Sequence, residues 1–382
     1  MAAARTVLIA GASIAGPALA WWLRHRGFTP VLVERTPGPR PGGHAIDARG
    51  VALKVLRAMG LADAAQARRT RMTGVSEHDA DGTELWRSTE FTITGGSFGL
   101  EALEILRDDL SNILVGGLPE DVEIIYGDSI ASFEETGEGV EVAFASGATR
   151  RFDLVAGADG LTSSLRRMHF GANREFLRPF HFAIAPFSAP NTIGLEDWQL
   201  TFRDGDTSCT IYTAPGNRAL RVNFGFQAPF DEVPSGRAEQ IAMVQARCSH
   251  MRWHAPGLIA AMAGSSDFYL GAIAQVRMPQ WSKGRITLVG DAGYSPSPFT
   301  GQGTSLALVG AWVLADELAK SPDDHTAAFA RTEAKMRPFV EQNQAIADLT
   351  IAGDITDPDY YLNTIEPAME SAKDAITLEG LE

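Results

Sequence analysis

Residues Thr6–Glu34 read TVLIAGASIAGPALAWWLRHRGFTPVLVE, and this stretch decides the fold. Thr6–Ala10 (TVLIA) is a short, continuous apolar run, as expected for a strand buried on both faces of a parallel sheet. Gly11–Gly16 make a turn, Pro17–Arg26 read as a helix that Gly27 stops, and Val31–Glu34 (VLVE) is the second strand. Proline is tolerated at Pro17 because the first helical turn has no acceptor for its missing N–H. Strand, turn, helix and strand in immediate succession open an α/β nucleotide-binding domain. Gly11-Ala12-Ser13-Ile14-Ala15-Gly16 stands where the dinucleotide fingerprint G-x-G-x-x-G should stand. The first glycine permits the tight turn, the middle position lets a pyrophosphate approach the backbone, and the last allows close helix packing. Ser13 replaces the middle glycine, and its small side chain still admits phosphates. Glu34, at the end of the second strand, is placed to accept both ribose hydroxyls, with Arg35 beside it. The bland alternative is that the glycines only allow close packing and Glu34 is a solvated strand end.

Working outward, Pro37–Gly43 (PGPRPGG) is a loop, and Gly50–Met59 carries a helical pattern ended by Gly60. Arg107–Val115 is another helix. Val122–Tyr126, Ser129–Glu134 and Val140–Ala145 alternate like strands, and Arg151–Ala156 (RFDLVA) reads as one buried strand returning to the first domain. From about Phe176 the pattern changes. Phe180–Phe187, Trp198–Arg203, Ser208–Thr213 and Arg218–Gln227 are β-rich runs of an antiparallel sheet. Ser235–Met251 is helical, and Asp267–Val276 is the last strand of this unit. Arg285–Val289 (RITLV) repeats the buried-strand signature, Leu306–Ala319 is a long apolar helix, and Ala327–Ala352 is one more. The acidic tail past Asp354 reads as helical. The fold class is therefore α/β: a discontinuous Rossmann-like domain (1–175 and 280–320), an inserted β-rich domain (176–279) and C-terminal helices (321–382).

At about 150 residues per domain, 382 residues suit two or three domains. With 45% apolar and 21% charged residues, the composition excludes wholesale disorder. A net charge of −14 repels phosphate backbones and anionic headgroups, which argues against nucleic-acid and membrane partners. Cys209 and Cys248 are far apart in sequence, so no disulfide framework or zinc spacing exists, and a reducing, cytoplasmic compartment is expected. Val7–Leu23 lacks charge and could pass for a signal-peptide core, but Gly11, Gly16 and Pro17 interrupt it. The eight histidines show no metal spacing, and no serine or cysteine sits in a nucleophile elbow.

A second motif narrows the ligand. Gly290-Asp291-Ala292 follows the strand ending at Val289, and Pro296, Pro298, Gly301, Gln302 and Gly303 lead into the next helix. Such a loop offers N–H groups and a positive helix end to a phosphate or electron-rich ring. Asp291 is placed to hydrogen-bond a polyol chain or to cap the helix. With Asp159-Gly160 after the strand ending at Ala156, the trio resembles the flavoprotein monooxygenases of the para-hydroxybenzoate hydroxylase type. The resemblance runs from Thr6 to about Ala352 and is strongest to the short branch that includes the tetracycline-inactivating monooxygenases.

That resemblance implies non-covalent FAD. Gly11, Ser13, Ile14, Ala15, Gly16, Glu34 and Arg35 would hold the ADP half. Asp159 would lie near the pyrophosphate and nicotinamide route, and Asp291, with Pro298, Gly301, Gln302 and Gly303, would hold the ribityl side. Arg107 falls where the family has an arginine contacting the flavin, its alternative being an ion pair with Asp108 or Glu104. Gly42–Asp47 matches the glycine-rich approach to the isoalloxazine, with Asp47 an FAD contact and Arg40 a nicotinamide contact. Ser13 and Gly293-Tyr294, where Ala-His is common, depart from the pattern.

By the same resemblance, NADPH or NADH reduces the flavin, O2 adds at C4a, and the C4a-hydroperoxyflavin passes oxygen to an electron-rich ring. The implied substrate is a phenolic, aromatic polyketide or tetracycline-like small molecule, shielded in an apolar pocket between the domains. Along Arg218–Gln227, Leu220, Val222, Phe224 and Phe226 share one face, and Arg221, Asn223, Gly225 and Gln227 the other. The resemblance turns the Arg221/Asn223 face toward substrate, joined by His181; the alternative is that this face meets solvent. Rival readings are an FAD-dependent dehydrogenase or halogenase, or a flavin-binding protein without turnover. The W-x-W-x-I-P motif of such halogenases is missing. The oligomeric state stays open between a monomer and a weak dimer.

Overall fold

The computed structural model describes residues 5–39, 42–93, 96–98, 101–355 and 357–381. Thr6–Ala10 pairs in parallel with Thr29–Glu34 on one side and Leu154–Gly157 on the other. The full sheet runs, in spatial order, Ser282–Lys283, Ile286–Leu288, Leu154–Gly157, Thr6–Ala10, Thr29–Glu34 and Glu123–Tyr126. Only Ser282–Lys283 is antiparallel to its neighbour. Helices Ala15–His25 and Gly303–Lys320 share one core with this sheet. The latter is apolar nearly all round, and it is buried nearly all round.

The run Arg151–Ala156 proves to be two strands. Thr149–Phe152 closes an antiparallel sheet with Val140–Phe144 and Ile130–Glu135. Asp153 then accepts hydrogen bonds from the Thr6 amide (2.7 Å) and hydroxyl (2.9 Å), and Leu154–Gly157 enters the parallel sheet. A carboxylate at the junction diverts the chain from one sheet to the other.

The second sheet has seven strands, in the order Gly271–Val276, Leu177–Pro190, Ala219–Gln227, Thr207–Thr213, Gln199–Asp204, Val75–His78 and Glu84–Ser88. The β-rich layer thus draws two strands from outside 176–279. Val75–His78 (VSEH) has one apolar residue in four, so no alternation betrays it, yet all four residues are buried. Leu220, Val222, Phe224 and Phe226 pack in a core with helices Arg237–Cys248 and Ala255–Met262. The second of these helices was not legible as a separate element. Cys209 and Cys248, distant in sequence, both lie free in this core.

The 28-residue helix His325–Ala352 leads to Pro358–Tyr360, Tyr361–Ile365 and Glu366–Ala372. Ile346, Tyr361, Ile365 and Met369 from this segment pack on Val75 and Phe91, so the C-terminal helices lie against the seven-stranded sheet. Among the described residues, no helix is long and apolar enough to cross a membrane.

Candidate active site

The motifs converge at the carboxyl ends of the parallel strands, where ligands of open α/β sheets bind. Gly11, at φ +106°, lies against Ala158, and an added Cβ would fall 2.4 Å from the Ala158 carbonyl oxygen. At Gly16 a Cβ would fall 1.9 Å from the Gly11 oxygen. Both outer glycines of the fingerprint are therefore sterically required, whereas position 13 is not so confined. The Ser13 hydroxyl accepts from Arg107 Nη1 at 3.3 Å. Gly290 packs against Ala15, and Asp291 lies beside Gly303, which joins the Gly-Asp loop to the first motif and to the helix Gly303–Lys320.

Glu34 does more than the strand-end reading supposed. One carboxylate oxygen accepts from the Ala12 amide (3.0 Å) and the other from the Thr36 amide and hydroxyl (both 3.1 Å). It ties the fingerprint loop to the end of the second strand. Arg35 is exposed, and Arg40 lies outside the described residues.

Around the first loop, Arg107 Nη2 donates to the Gly42 carbonyl (2.6 Å), and Asp108 accepts from the Gly42 amide (2.9 Å). The ion-pair alternative for Arg107 is thus not the one the geometry displays. His44 follows in this loop, with its Nδ1 3.4 Å from the Tyr269 hydroxyl. Desolvation, helped by the Arg107 charge, lowers its imidazole to about 4, so His44 is neutral at physiological pH. Asp47, on the strand Ala45–Arg49, is 4% exposed, lies 3.5 Å from Arg49 and sits against Gly301. Burial raises its carboxyl to about 7, against the opposing pull of Arg49.

Three observations test whether these residues suit a flavin dinucleotide. Gln302 is fully buried, yet its side-chain Oε1 and Nε2 both lack a hydrogen-bond partner, as does Asp47 Oδ1. A buried amide needs a ligand that donates and accepts together, as the N3–H and flanking carbonyls of an isoalloxazine do. Asp291 is exposed to solvent, yet desolvation by surrounding protein raises its carboxyl, against Ser295 and Arg166, so it lines a deep cleft. Helix Ala15–His25 has no acidic residue in its first turn, which leaves its positive end free for phosphate. The residues fit FAD.

Arg166 is a site residue that the sequence reading passed over. It is 0% exposed and donates to the Ala292 carbonyl (2.7 Å), the Leu161 carbonyl and Asn173 Oδ1 (3.1 Å). It therefore clamps the Gly-Asp loop to the Asp-Gly loop. Asp159 supports the same region, accepting from the amides of Ser164 (2.7 Å) and Leu165 (3.1 Å). The signal was an arginine seven residues past Asp159, in a helix too short to show periodicity. Gln344 works from the other side. Its Nε2 donates to the carbonyls of Val276, Tyr294 and Ser295, fixing the chain that follows Asp291.

The family profile of the FAD binding domain matches residues 4–343. The chain belongs to the FAD-binding family. An uncharacterized Mycobacterium tuberculosis protein is 43% identical over 91% of this chain and 94% of its own. A flavin-dependent monooxygenase of Legionella longbeachae is 37% identical over 88% and 86%. The crystal structure of tetracycline destructase Tet(51) superposes with a TM-score of 0.91 at 33% identity, covering 100% of both chains. This member of the family is an FAD-dependent monooxygenase.

The β-rich sheet of the monooxygenase turns its polar face to this site. The Ala45 amide donates to the Tyr212 hydroxyl at 2.6 Å, and Tyr212 pairs across the strands with Arg221. Arg221 donates to Ser188 and lies 3.5 Å from Asp267 and 3.8 Å from Asp108. It bridges the sheet to the helix that begins at Arg107. Asn223, two residues on, is half-buried with its Oδ1 unpartnered. His181 is exposed at φ +54°, within the irregular register between Pro179 and Ala183, and is not brought to Arg221 and Asn223. Phe224→Ala on the opposite face should lower unfolding stability by about 3–5 kcal/mol, read by denaturant titration, with FAD content retained in the folded fraction. Asn223→Ala should leave stability near wild type.

Proposed function

We propose that this enzyme uses NAD(P)H and O2 to hydroxylate a phenolic, aromatic polyketide or tetracycline-like small molecule. The observation that carries this reading is the Tyr212–Ala45 hydrogen bond, which sets the polar face of the sheet against the strand that holds Asp47. Tetracycline destructase Tet(51), whose fold this chain shares over its full length, supplies the tetracycline-like member of the class. Bound FAD would supply the redox and oxygen-transfer chemistry. Gln302 would pair with the ring edge, Asp291 with the polyol chain, and the helix end at Ala15 with the pyrophosphate.

The chain's own contribution is orientation and protection. Arg107 holds Gly42 and Ser13 together, and Gly43 leaves no room for a side chain, since a Cβ there would fall 2.8 Å from Arg107 Nε. Gly42 and Gly43 are therefore held tightly against the start of the helix that begins at Arg107. Asp47, its carboxyl raised to about 7, can take up or release a proton near neutral pH, whereas His44, lowered to about 4, stays neutral there and offers a hydrogen-bonding ring nitrogen. The test is NADPH and NADH oxidation with phenols and tetracycline. Stimulation by at least one aromatic compound is expected; oxidation indifferent to every compound would contradict the reading.

A pH effect follows from two buried carboxyls. Burial lifts both Asp47 and Glu77 to about 7 in the folded chain, well above their ordinary range. Each binds its proton more tightly when folded. Their stabilisation is fully present below about 4 and is lost as pH rises through about 7. The melting temperature of FAD-free protein should fall between pH 5 and 8, and Asp47→Asn combined with Glu77→Gln should flatten that fall. An unchanged slope in the double variant would show that neither carboxyl is protonated in the fold.

A further inference from the structure

Three polar side chains, each with an unpaired buried atom, stand in one rung of the seven-stranded sheet. Asn223 pairs with Thr210, Thr210 with Thr201, Thr201 with Glu77, and Glu77 with Trp86. Side chains paired across strands in this way project from the same face. Asn223 Oδ1, Thr201 Oγ1 and Glu77 Oε2 all lack a hydrogen-bond partner. Glu77 and Thr201 are only 4% and 3% exposed, so bulk water does not satisfy them. Buried polar atoms are paired as a rule, and three exceptions in one row mark the edge of a ligand. All three are oxygens able to accept, so the row suits a molecular edge that donates. With about 4.8 Å between strands, the row from Asn223 to Glu77 extends about 14 Å.

The Glu77 end has a distinct character. Arg203 Nε lies 3.6 Å from Glu77 Oε1, while Arg203 Nη2 bonds Asp354 at 3.0 Å. Two carboxyl groups thus share one guanidinium, so Arg203 does not fully compensate Glu77, and an incoming cation would favour its ionised form over the protonated form that burial promotes. Trp86, directly opposite Glu77, stacks on Phe91 at 6.1 Å, and Phe91 stacks on Tyr361 at 5.2 Å. A carboxylate beside aromatic faces is the arrangement that selects alkylammonium groups.

We propose that Glu77 is a specificity-determining residue that receives an alkylammonium group of an elongated aromatic substrate, while Thr201 and Asn223 accept from hydroxyl or amide donors along the same molecular edge. The inference rests on the reading of the polar sheet face as the substrate wall. It adds to that reading a charge requirement at one end of the substrate and a strand, Val75–His78, that lies outside the inserted segment.

The test titrates the FAD-loaded enzyme, without reductant, with two probe pairs and follows the flavin absorbance. One pair is tetracycline and its 4-dedimethylamino analogue; the other is tyramine and 4-ethylphenol. Wild type should bind the charged member of at least one pair about tenfold more tightly, as a charge-assisted contact implies. Glu77→Gln, an isosteric change, should erase that preference while FAD content stays full, and Thr201→Val should weaken both tetracyclines alike. Equal weakening of both members in Glu77→Gln, or none, overturns the subsite and leaves the monooxygenase reading standing. Should Glu77→Gln fail to fold, the wild-type preference decides, and its absence overturns the proposal. If wild type binds none of the four and no phenol stimulates NAD(P)H oxidation, the substrate wall falls and the subsite with it.

Discussion

Arg166→Ala should be the most damaging single substitution in this chain. It removes a fully buried guanidinium that donates to the carbonyls of Ala292 and Leu161, leaving both without their donor. Each buried acceptor left unpaired costs about 1–3 kcal/mol, and the three acceptors of Arg166 together account for a large share of a typical domain's total stability. The loops released are the ones that carry Asp291 and Asp159, so FAD retention should fail together with the fold. Arg166→Lys keeps the charge but not the planar fork, and one ammonium cannot reach three acceptors set around a guanidinium. Both variants should therefore be recovered poorly, colourless and with lowered denaturation midpoints. A stable, yellow Arg166→Ala protein would show that the two loops are held by other contacts.

The second large effect separates two carboxylates. Asp291→Ala should weaken FAD by about one to two decades, because a polar ligand group loses its partner inside a cleft. The protein without FAD should melt as wild type does, since the Asp291 side chain faces the cleft and is exposed. Glu34→Ala should also weaken FAD, and it should lower the stability of the FAD-free protein too. Its carboxylate ties the Ala12 amide to the Thr36 amide and hydroxyl, so its loss loosens the fingerprint loop itself. Fluorescence titration with FAD and thermal melts of both variants make the comparison. Identical melting behaviour would return Glu34 to the role of a ribose contact alone.

The parallel-sheet domain was legible because its signals are local. A buried apolar strand, a glycine turn required by backbone crowding and an apolar helix that Gly27 stops follow one another from Thr6 onward. The same holds for the Gly-Asp loop, whose residues the fold brings within reach of Ala15 and Gly303. What stayed hidden depends on partners distant in sequence. Val75–His78 lacks an apolar alternation because both its faces are buried and three of its four residues are polar: Glu77 lies on one face with Val75, while Ser76 and His78 meet Trp198 and Trp253 on the other, so its place in the second sheet could not be read from period. Arg166 and Gln344 work by reaching loops more than forty residues away, and no spacing rule anticipates that. His181, which the resemblance joined to the Arg221 face, sits where the strand register shifts between Pro179 and Ala183, and a local irregularity of this kind leaves no mark in the sequence. Glu34 was placed correctly at its strand end, yet its hydrogen bonds to Ala12 and Thr36 come from the turn geometry on both sides of it.

The central claim is that an FAD-loaded form of this chain inserts one atom of O2 into an aromatic small molecule. The most direct measurement is mass spectrometry of the product formed from a phenolic or tetracycline substrate under 18O2, with NADPH or NADH as reductant. A product heavier by one 18O atom, absent without reductant and unlabelled when only the water carries 18O, is the expected result. Label arriving from water alone, or reduced FAD that reacts with O2 while the aromatic compound is recovered unchanged across the panel, would contradict it.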